Sequence, residues 1–214
     1  MQPTATIKAI VFDWDGVIVD SMPTIALGIQ ETAASYGVQI SAEKILATYF
    51  QPKEAFYKSL GIDVENKAKL NARHSSSDRK HLAMDPKLFS DVLPTLKELH
   101  EKGFVLGIAT QRVESGVIGM QREIERNNLQ MMFPFENIES GPRTKEEKLV
   151  ALIKKFGVAP DELLYVGDLP SDITVAKKVG AKSAGIAREE SGKPRLKAEN
   201  PDYFLNSLAD LLAI

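Results

Sequence analysis

Short apolar runs alternate along the chain with longer segments in which apolar residues recur at helical spacing. The runs are rich in β-branched or aromatic residues and end at charged or polar turns, as is typical of buried strands. They are Ile7–Asp13, Phe104–Thr110, Leu163–Asp168 and Lys182–Ala187. Buried strands that alternate with amphipathic helices predict a parallel, Rossmann-like α/β sheet.

Three segments between these runs carry their apolar residues on one helical face. They are Asp91–Lys102, Thr144–Phe156 and a helix that Ser171 can cap and that ends at Gly180. Gly103 and Gly157 follow the first two as helix-ending residues. The polar stretch Arg188–Arg195 contains glycine and proline, which predicts an exposed loop.

One interval is far too long for a single crossover between neighbouring strands. Asp15 and Thr110 are separated by 95 positions, whereas a βαβ unit needs about 30 residues. The interval contains helical patterns at Pro23–Tyr36, Ser41–Tyr49, Pro52–Leu60 and Val64–Ala83. We therefore predict that residues 20–87 form a small α-helical cap domain, inserted into an α/β core made of residues 1–19 and 88–214.

Composition excludes several classes of site and partner. The 214 residues include no cysteine, so disulfides, thiolate nucleophiles and Cys-ligated metals are ruled out. Lys and Arg number 27 against 29 Asp and Glu, which disfavours a nucleic-acid partner. The sequence contains no apolar run of membrane-spanning length and no signal-peptide core, so we expect no membrane association and a cytoplasmic location.

Polar residues stand where three of the predicted strands end. Ligands of open α/β sheets bind beyond the carboxyl ends of the strands, so these residues are expected to meet. The residues are Asp13 and Asp15; Thr110, Gln111 and Arg112; and Asp168 with Asp172. A single Asp in such a place is usually a turn former, but four carboxylates together would repel unless a cation lay between them. Oxygen ligands without Cys or clustered His favour Mg²⁺ over zinc.

Three motifs in these places carry a resemblance to a known family. F-D-W-D-G-V-I-V-D-S, I-A-T-Q-R and Y-V-G-D-L-P-S-D-I occur in this order. They resemble the motifs of the haloacid dehalogenase-like phosphohydrolase superfamily. The helical insertion is similar to that of the phosphoglycolate phosphatase and β-phosphoglucomutase branch. The resemblance spans essentially the whole chain and implies a phosphohydrolase enzyme.

The first motif would then supply the two reacting acids. Asp13 would attack a phosphate monoester and form an aspartyl-phosphate. Asp15 would protonate the leaving oxygen and later deprotonate the attacking water. Carbon–halogen cleavage needs no acid at position 15, so Asp15 favours phosphoryl transfer. The family also implies that Asp13 and the backbone carbonyl of Asp15 bind Mg²⁺.

The second and fourth motifs would bind phosphate and metal. Thr110, with the backbone N–H of Gln111, would hold the phosphate oxygens. Asp168 would bind Mg²⁺, and Asp172 would bind it or orient the other ligands. Each residue also has an ordinary structural interpretation, because Thr suits a strand and an acid suits the first turn of a helix.

The third motif should provide a lysine that neutralises phosphate and carboxylate charge. The family often places proline after this lysine, whereas this chain has G-P-R-T-K-E-E-K. Lys145, just before the helix that ends at Gly157, fits best, both for catalysis and for phosphate binding. Lys148 and Arg143 are the alternatives.

The resemblance leaves the substrate open. A Mg²⁺-dependent phosphatase acting on a small phosphorylated metabolite, similar to phosphoglycolate or a sugar phosphate, is the main hypothesis. A sugar phosphomutase is the alternative, followed by a phosphonate hydrolase or a non-catalytic relative. We expect a monomer or homodimer. Trp14, lying between the two acids, is expected to face the cap.

Overall fold

The computed structural model describes residues 6–49, 53–66, 68–74, 86–112 and 115–214. Contacts within the chain divide it into two compact units. The first unit consists of Met1–Val19 and Leu88–Ile214, and the second is Asp20–Lys87. The chain therefore passes from one unit to the other at two points.

Eight strands lie in the described residues. They are β1 (Ala9–Phe12), β2 (Val19–Asp20), β3 (Lys87–Leu88), β4 (Val105–Ala109), β5 (Ile138–Glu139), β6 (Leu163–Gly167), β7 (Lys182–Ile186) and β8 (Tyr203–Leu205). Six of them form a parallel sheet in the order β5-β4-β1-β6-β7-β8, and β2 pairs with β3. The predicted parallel α/β fold is thereby confirmed, while the short strands β5 and β8 at the sheet edges were not predicted.

The helices of the described residues lie between these strands. They are α1 (Met22–Ala34), α2 (Ala42–Thr48), α3 (Lys53–Ser59), α4 (68–74), α5 (Val92–Glu101), α6 (Ser115–Arg126), α7 (Lys145–Phe156), α8 (Pro170–Lys178) and α9 (Lys193–Ala198). Short 3₁₀ turns lie at Phe135–Asn137, Pro160–Glu162, Glu190–Gly192 and Leu208–Ala213. No helix in this part of the chain is both long and apolar enough to cross a membrane.

The sheet of the first unit is covered on both faces. On one face, Ile10 and Phe12 of β1 pack in a cluster with apolar residues of α5 and α6. On the other, Ala9 and Val11 pack in a cluster with residues of α7 and α8. All four residues of β1 are fully buried, as expected for a central strand of a parallel sheet.

Helix α7 shows how local sequence fixes an element that carries a candidate site residue. The Thr144 side chain accepts from the backbone N–H of Glu147, whose carboxylate accepts from the N–H of Thr144. This capping box fixes the first turn. Gly157 ends the helix with φ 65°, a left-handed conformation that glycine adopts without strain. Lys145 therefore projects from a firmly capped first turn.

The second unit packs α1, α2 and α3 around its own apolar core. The Phe56 ring contacts Tyr49 and Tyr57 edge to face, with centroid distances of 5.0 and 5.7 Å. Helix α4 begins later than the predicted Val64, because the Asn66 side chain caps it by accepting from the N–H of Lys69. Pro52 and residues 75–83 of the predicted helices lie outside the described residues.

Two local predictions in the first unit were wrong. The predicted loop 188–195 contains a 3₁₀ turn and α9, because Leu196 is buried in a small apolar cluster with Ile173. Helix α8 begins at Pro170 and is not capped by Ser171. Proline suits a first helical position, and the Asp172 carboxylate accepts from the N–H of Leu169.

Candidate active site

The carboxyl ends of three neighbouring strands meet at one edge of the sheet. Phe12 of β1 pairs with Ile108 of β4 on one side and with Val166 of β6 on the other. The residues that follow these positions therefore emerge together, and the N–H of Asp13 donates to the Val166 carbonyl at 2.9 Å. This register brings the segments that carry Asp13, Thr110 and Asp168 side by side.

A lysine bridges two of the buried carboxylates. Lys145 Nζ donates to Asp13 Oδ2 at 2.6 Å and to Asp172 Oδ1 at 2.5 Å. Asp13 is 7% exposed and Asp172 is fully buried, so both ion pairs are shielded from water. Asp13 directly follows β1, Lys145 begins α7 and Asp172 lies in the first turn of α8. The sequence separates Asp13 from Lys145 by 132 positions and Lys145 from Asp172 by 27.

Asp13, Asp168 and Asp172 form an acidic cluster. Each offers a carboxylate oxygen, and the three oxygens lie within 4.8 Å of one another. Glycine permits two of the approaches. A Cβ at Gly16 would lie 2.3 Å from Asp168 Oδ2, and Gly16 has φ +75°. A Cβ at Gly167 would lie 2.3 Å from the Cβ of Asp172.

The electrostatics of this cluster call for a cation. Burial raises the pKa of Asp13 to about 6, against the opposing charge of Lys145, and the Asp172 charge adds to the rise. Burial and then the charge of Asp172 raise the pKa of Asp168 well above its usual range. The single positive charge of Lys145 therefore does not balance the three carboxylates. Three converging carboxylates without Cys or His are the donor set that suits Mg²⁺.

Lys145 itself stays protonated in this surrounding. Burial opposes its charge, but the carboxylates of Asp13 and Asp172 raise its pKa well above the usual value. Tyr165 lies on the same side, with its hydroxyl 3.4 Å from Asp172 Oδ1. Burial, followed by the charge of Asp172, raises the Tyr165 pKa, which keeps the hydroxyl a donor.

Asp172 has both a structural and a site position. One of its oxygens accepts from the N–H of Leu169 at 3.0 Å and helps to begin α8. The other accepts from Lys145 and Tyr165. The two interpretations of this residue are therefore compatible, because different oxygens serve them.

Thr110 lies at the expected edge of the sheet, and its surroundings fix its backbone. It is 1% exposed, and its Oγ1 accepts from the N–H of Arg112 at 3.1 Å. Its carbonyl accepts from Lys148 Nζ at 2.6 Å. Gln111 is exposed. Phosphate binding by Thr110 and by the Gln111 N–H stays a prediction.

The geometry separates the three candidate cations of the third motif. Lys148 is fully buried and donates to the carbonyls of Thr110 and Gly141, at 2.6 and 2.8 Å. Its burial, with the nearby charge of Lys145, lowers its pKa to about 8. Arg143 is exposed and pairs with Glu139 at 3.4 Å. Of these three, Lys145 is the one that forms ion pairs with the acidic cluster.

Asp15 is not one of the three converging carboxylates, and it has a partner that the sequence did not reveal. Arg112 donates from Nε to Asp15 Oδ2 at 2.9 Å and from Nη2 to Oδ1 at 2.7 Å. Arg112 also contacts Glu123 of α6, a helix that was not predicted. In the sequence, the arginine of the Q-R dipeptide after Thr110 was the one sign of this contact. The residues that it pairs with, Asp15 and Glu123, lie in other segments of the chain.

The expectation that Trp14 faces the cap was wrong. Its side chain is fully buried in the apolar core of the first unit, and its Nε1 donates to Glu123 Oε2 at 2.6 Å. Its ring packs edge to face against Phe133 at 6.2 Å. A large apolar surface favours this burial, and Glu123 satisfies the one polar atom.

Comparison with known proteins relates this geometry to a family. The model of the family described as haloacid dehalogenase-like hydrolase matches residues 10–186. Pyrophosphatase PpaX of Anoxybacillus flavithermus is 29% identical over 213 residues, covering 97% of this chain and 96% of the relative. A phosphoglycolate phosphatase of Mannheimia succiniciproducens is 28% identical over 225 residues, covering 97% of each chain.

A solved structure shares the fold. The haloacid dehalogenase-like hydrolase family protein from Streptococcus pneumoniae superimposes with a TM-score of 0.82 and 21% identity. The match covers 97% of both chains. The two units described above thus have a counterpart of nearly the same length.

Proposed function

Because the chain belongs to the haloacid dehalogenase-like hydrolase family, we propose that it is a Mg²⁺-dependent phosphatase working through an aspartyl-phosphate on Asp13. The family membership and the phosphatase names of the relatives confirm the prediction of a phosphohydrolase. The observation that carries the mechanism is the position of Lys145, which bridges Asp13 and Asp172 beside Asp168.

The proposed substrate is a small phosphorylated metabolite. Relatives named for pyrophosphate and for phosphoglycolate cover almost the whole chain at nearly equal identity. We therefore propose both the phosphoanhydride and the phosphate monoester as first candidates. Pyrophosphate was not among the substrates that the sequence motifs suggested.

In the first half-reaction, an Asp13 carboxylate oxygen attacks phosphorus. The bond between phosphorus and the leaving oxygen breaks, and that oxygen takes a proton from the Asp15 carboxyl. Lys145 holds Asp13 in place and offsets negative charge as the phosphoryl group approaches. Thr110 and the N–H of Gln111 would hold phosphate oxygens at the adjacent strand end.

In the second half-reaction, water attacks the phosphorus of the aspartyl-phosphate. Asp15, now a carboxylate, takes a proton from this water, and the bond between phosphorus and Asp13 breaks. Inorganic phosphate leaves, and both acids return to their starting forms. Bound Mg²⁺, held by Asp13, Asp168, Asp172 and the Asp15 carbonyl, would neutralise carboxylate and phosphate charge.

The proposal is tested by trapping the covalent intermediate. Protein mixed with ³²P-labelled pyrophosphate and Mg²⁺ is quenched in acid, and the retained label is treated with hydroxylamine. We expect label that hydroxylamine releases, with none on D13N and full labelling on D161N, a matched change at an exposed aspartate. Turnover without trapped label, together with an active D13N, would contradict the covalent route.

A panel of phosphorylated metabolites identifies the substrate. It contains pyrophosphate, phosphoglycolate and hexose 1-phosphates, each with and without Mg²⁺. We expect Mg²⁺-dependent phosphate release from at least one. Conversion of a hexose 1-phosphate into its isomer without free phosphate would instead establish the phosphomutase alternative.

A further inference from the structure

A chain of buried polar contacts leads from the core of the first unit to Asp15. Trp14 Nε1 donates to Glu123 Oε2 at 2.6 Å, and Glu123 accepts from Arg112 Nη1 with both oxygens at 3.0 Å. Arg112 in turn donates a hydrogen bond to each of the two Asp15 carboxylate oxygens. The side chains of Arg112 and Glu123 are only 4% and 3% exposed, whereas Asp15 is 24% exposed.

All three guanidinium nitrogens of Arg112 are engaged in this chain. Nε and Nη2 form the two-pronged contact with Asp15, and Nη1 faces Glu123. A planar guanidinium bound in this way fixes both the place and the tilt of a carboxylate, which a lysine ammonium cannot do. Arg112 therefore holds the Asp15 carboxylate in one orientation through both of its oxygens.

Helix α6 is shaped to receive the guanidinium. Gly116, Gly119 and Glu123 lie on one helical face because they are three and four residues apart. A Cβ at Gly116 would lie 3.3 Å from the Arg112 Cβ, and one at Gly119 would lie 3.9 Å from Arg112 Nη1. Gly116 thus leaves room for the stem of the Arg112 side chain, whereas a side chain at Gly119 would make only an ordinary contact with the guanidinium. Glu123, on the same helical face, accepts from Nη1.

The buried charges balance only in part. Arg112 carries one positive charge between the carboxylates of Glu123 and Asp15. Burial works against its charge, but these two carboxylates raise the pKa of Arg112 above its usual range. The guanidinium therefore stays charged. Its contact with the buried Glu123 does not depend on the orientation of Asp15, which is more exposed.

We propose that Arg112, braced by Glu123, is the positioning residue that aims the Asp15 carboxyl for its proton transfers. The proposal rests on the proposed function, in which Asp15 protonates the leaving oxygen. Arg112 touches no reacting atom in this scheme and acts through Asp15 alone. Losing the two-pronged contact would leave Asp15 present but poorly directed.

Leaving groups that need a proton to different extents reveal such a role. An alkyl oxygen departs only with a proton, whereas p-nitrophenolate departs readily without one. Misplacing Asp15 should therefore slow hydrolysis of phosphoglycolate more than hydrolysis of p-nitrophenyl phosphate. The readout is the ratio of kcat/KM for the two substrates, which a general loss of folded protein would not change.

The decisive variant is R112K, which keeps the positive charge but cannot form the two-pronged contact with Asp15. We expect the phosphoglycolate to p-nitrophenyl phosphate ratio to fall by about 10-fold or more, within the range that general acid catalysis contributes. E123Q keeps the shape of the Glu123 side chain but removes its charge, and it should lower the ratio by a smaller factor than R112K does. Thermal unfolding verifies that each variant is folded, and E123Q carries the test if R112K is not.

A matched control is R188K. Arg188 pairs with Asp91 at 2.7 Å in the same unit and is partly buried, but it lies outside the Asp15 network. This variant loses a comparable arginine–carboxylate contact and should keep the wild-type ratio. An unchanged ratio in folded R112K would overturn the proposal, and so would an unchanged ratio in E123Q if R112K does not fold. If R112K folds and lowers the ratio, an unchanged ratio in E123Q removes only Glu123 from the proposal.

The D15N variant distinguishes failure of the proposed role of Arg112 from failure of the proposed function, in which Asp15 protonates the leaving oxygen. If D15N keeps the wild-type ratio, Asp15 does not protonate the leaving group, and the proposed function fails at that step. If D15N lowers the ratio while R112K leaves it unchanged, the proposed function stands and the role of Arg112 is overturned. A fall in both supports both proposals.

Discussion

The two units of the molecule bury different kinds of side chain. Among its described residues, the first unit buries five charged side chains, all at or near the candidate site. They are Asp13, Arg112, Glu123, Lys148 and Asp172. Among the described residues of the second unit, the buried polar side chains are the uncharged Ser21 and Thr32 together with His74. This unit is held together by apolar packing around Phe56 and Tyr57.

The first unit thus holds the candidate chemistry at some cost in stability, whereas the second unit is stabilised by apolar packing. Burying charge is costly unless partners compensate, and the ion pairs of the first unit compensate only in part. The raised pKa of Asp13 is evidence of that imbalance. We therefore expect changes at the site to affect turnover more than folding, and changes in the second core to affect folding first.

The largest expected effect is that of D13N on turnover. Without its nucleophile the protein should release phosphate from p-nitrophenyl phosphate at least ~10³-fold more slowly. The fold should persist, because asparagine has nearly the same shape and leaves the apolar cores unchanged. Phosphate release and thermal unfolding are measured side by side. Undiminished turnover would show that Asp13 is not the nucleophile, and loss of the folded state would show that Asp13 is needed for folding.

Next in size is the effect of F56A on stability. Phe56 is fully buried between Tyr49 and Tyr57, so truncation leaves a cavity. We expect the free energy of unfolding to fall by about 3–5 kcal/mol in urea titration. L46A provides the control in the same unit, because Leu46 is 40% exposed and should cost far less. Equal losses in the two variants would contradict apolar packing as the source of stability.

T110V should have a smaller effect, and again on turnover. Valine keeps the branched shape but removes the hydroxyl, so we expect a loss of about 10²-fold, as for one donor at a charged oxygen. T95V is the matched control, since Thr95 is equally buried and donates to the Asp91 carbonyl. It should retain turnover. A full-speed T110V would remove Thr110 from phosphate binding.

The smallest effect concerns pH and Mg²⁺. The pKa of Asp13 is raised from 3.8 to about 6, so the folded protein holds a proton here that the unfolded chain releases. Its contribution to stability is therefore present at low pH and is lost as pH rises through 6. Mg²⁺ should relieve this loss, so it should raise Tm by ~2–5 °C more at pH 7.5 than at pH 5.

Salt controls distinguish this effect from simple screening. Potassium chloride at matched ionic strength should produce no such difference between the two pH values. The same increase from Mg²⁺ at both values would show that Asp13 does not compete for protons and metal. EDTA added to the Mg²⁺ sample should restore the original curve.

The pattern of apolar runs was sufficient to predict the central sheet. β1, β4, β6 and β7 lie within the four predicted runs, because central strands of a parallel sheet are buried on both faces. The edge strand β5 has two residues, too few to show a period. Helix α6 was not predicted because two glycines interrupt its sequence, and one of them, Gly116, makes room for Arg112.

The site shows a similar division between local and distant signals. Motif spacing placed Asp13, Thr110 and Asp168 at strand ends, where the structure has them. It left Lys145 and Lys148 open, because residues three apart share one helical face. Their different surroundings come from tertiary contacts with distant carbonyls and carboxylates. The cytoplasmic location and the oligomeric state stay predictions.

Gly16 and Gly167 have a consequence for how this enzyme can be varied. Neither residue has a functional group, yet a single methyl at either would occupy the space of Asp168 or Asp172. In a mutational scan, both positions should reject even alanine as firmly as the reacting acids reject substitution. Part of the sequence signature of this chemistry therefore consists of positions without a side chain, where the site has no space for one.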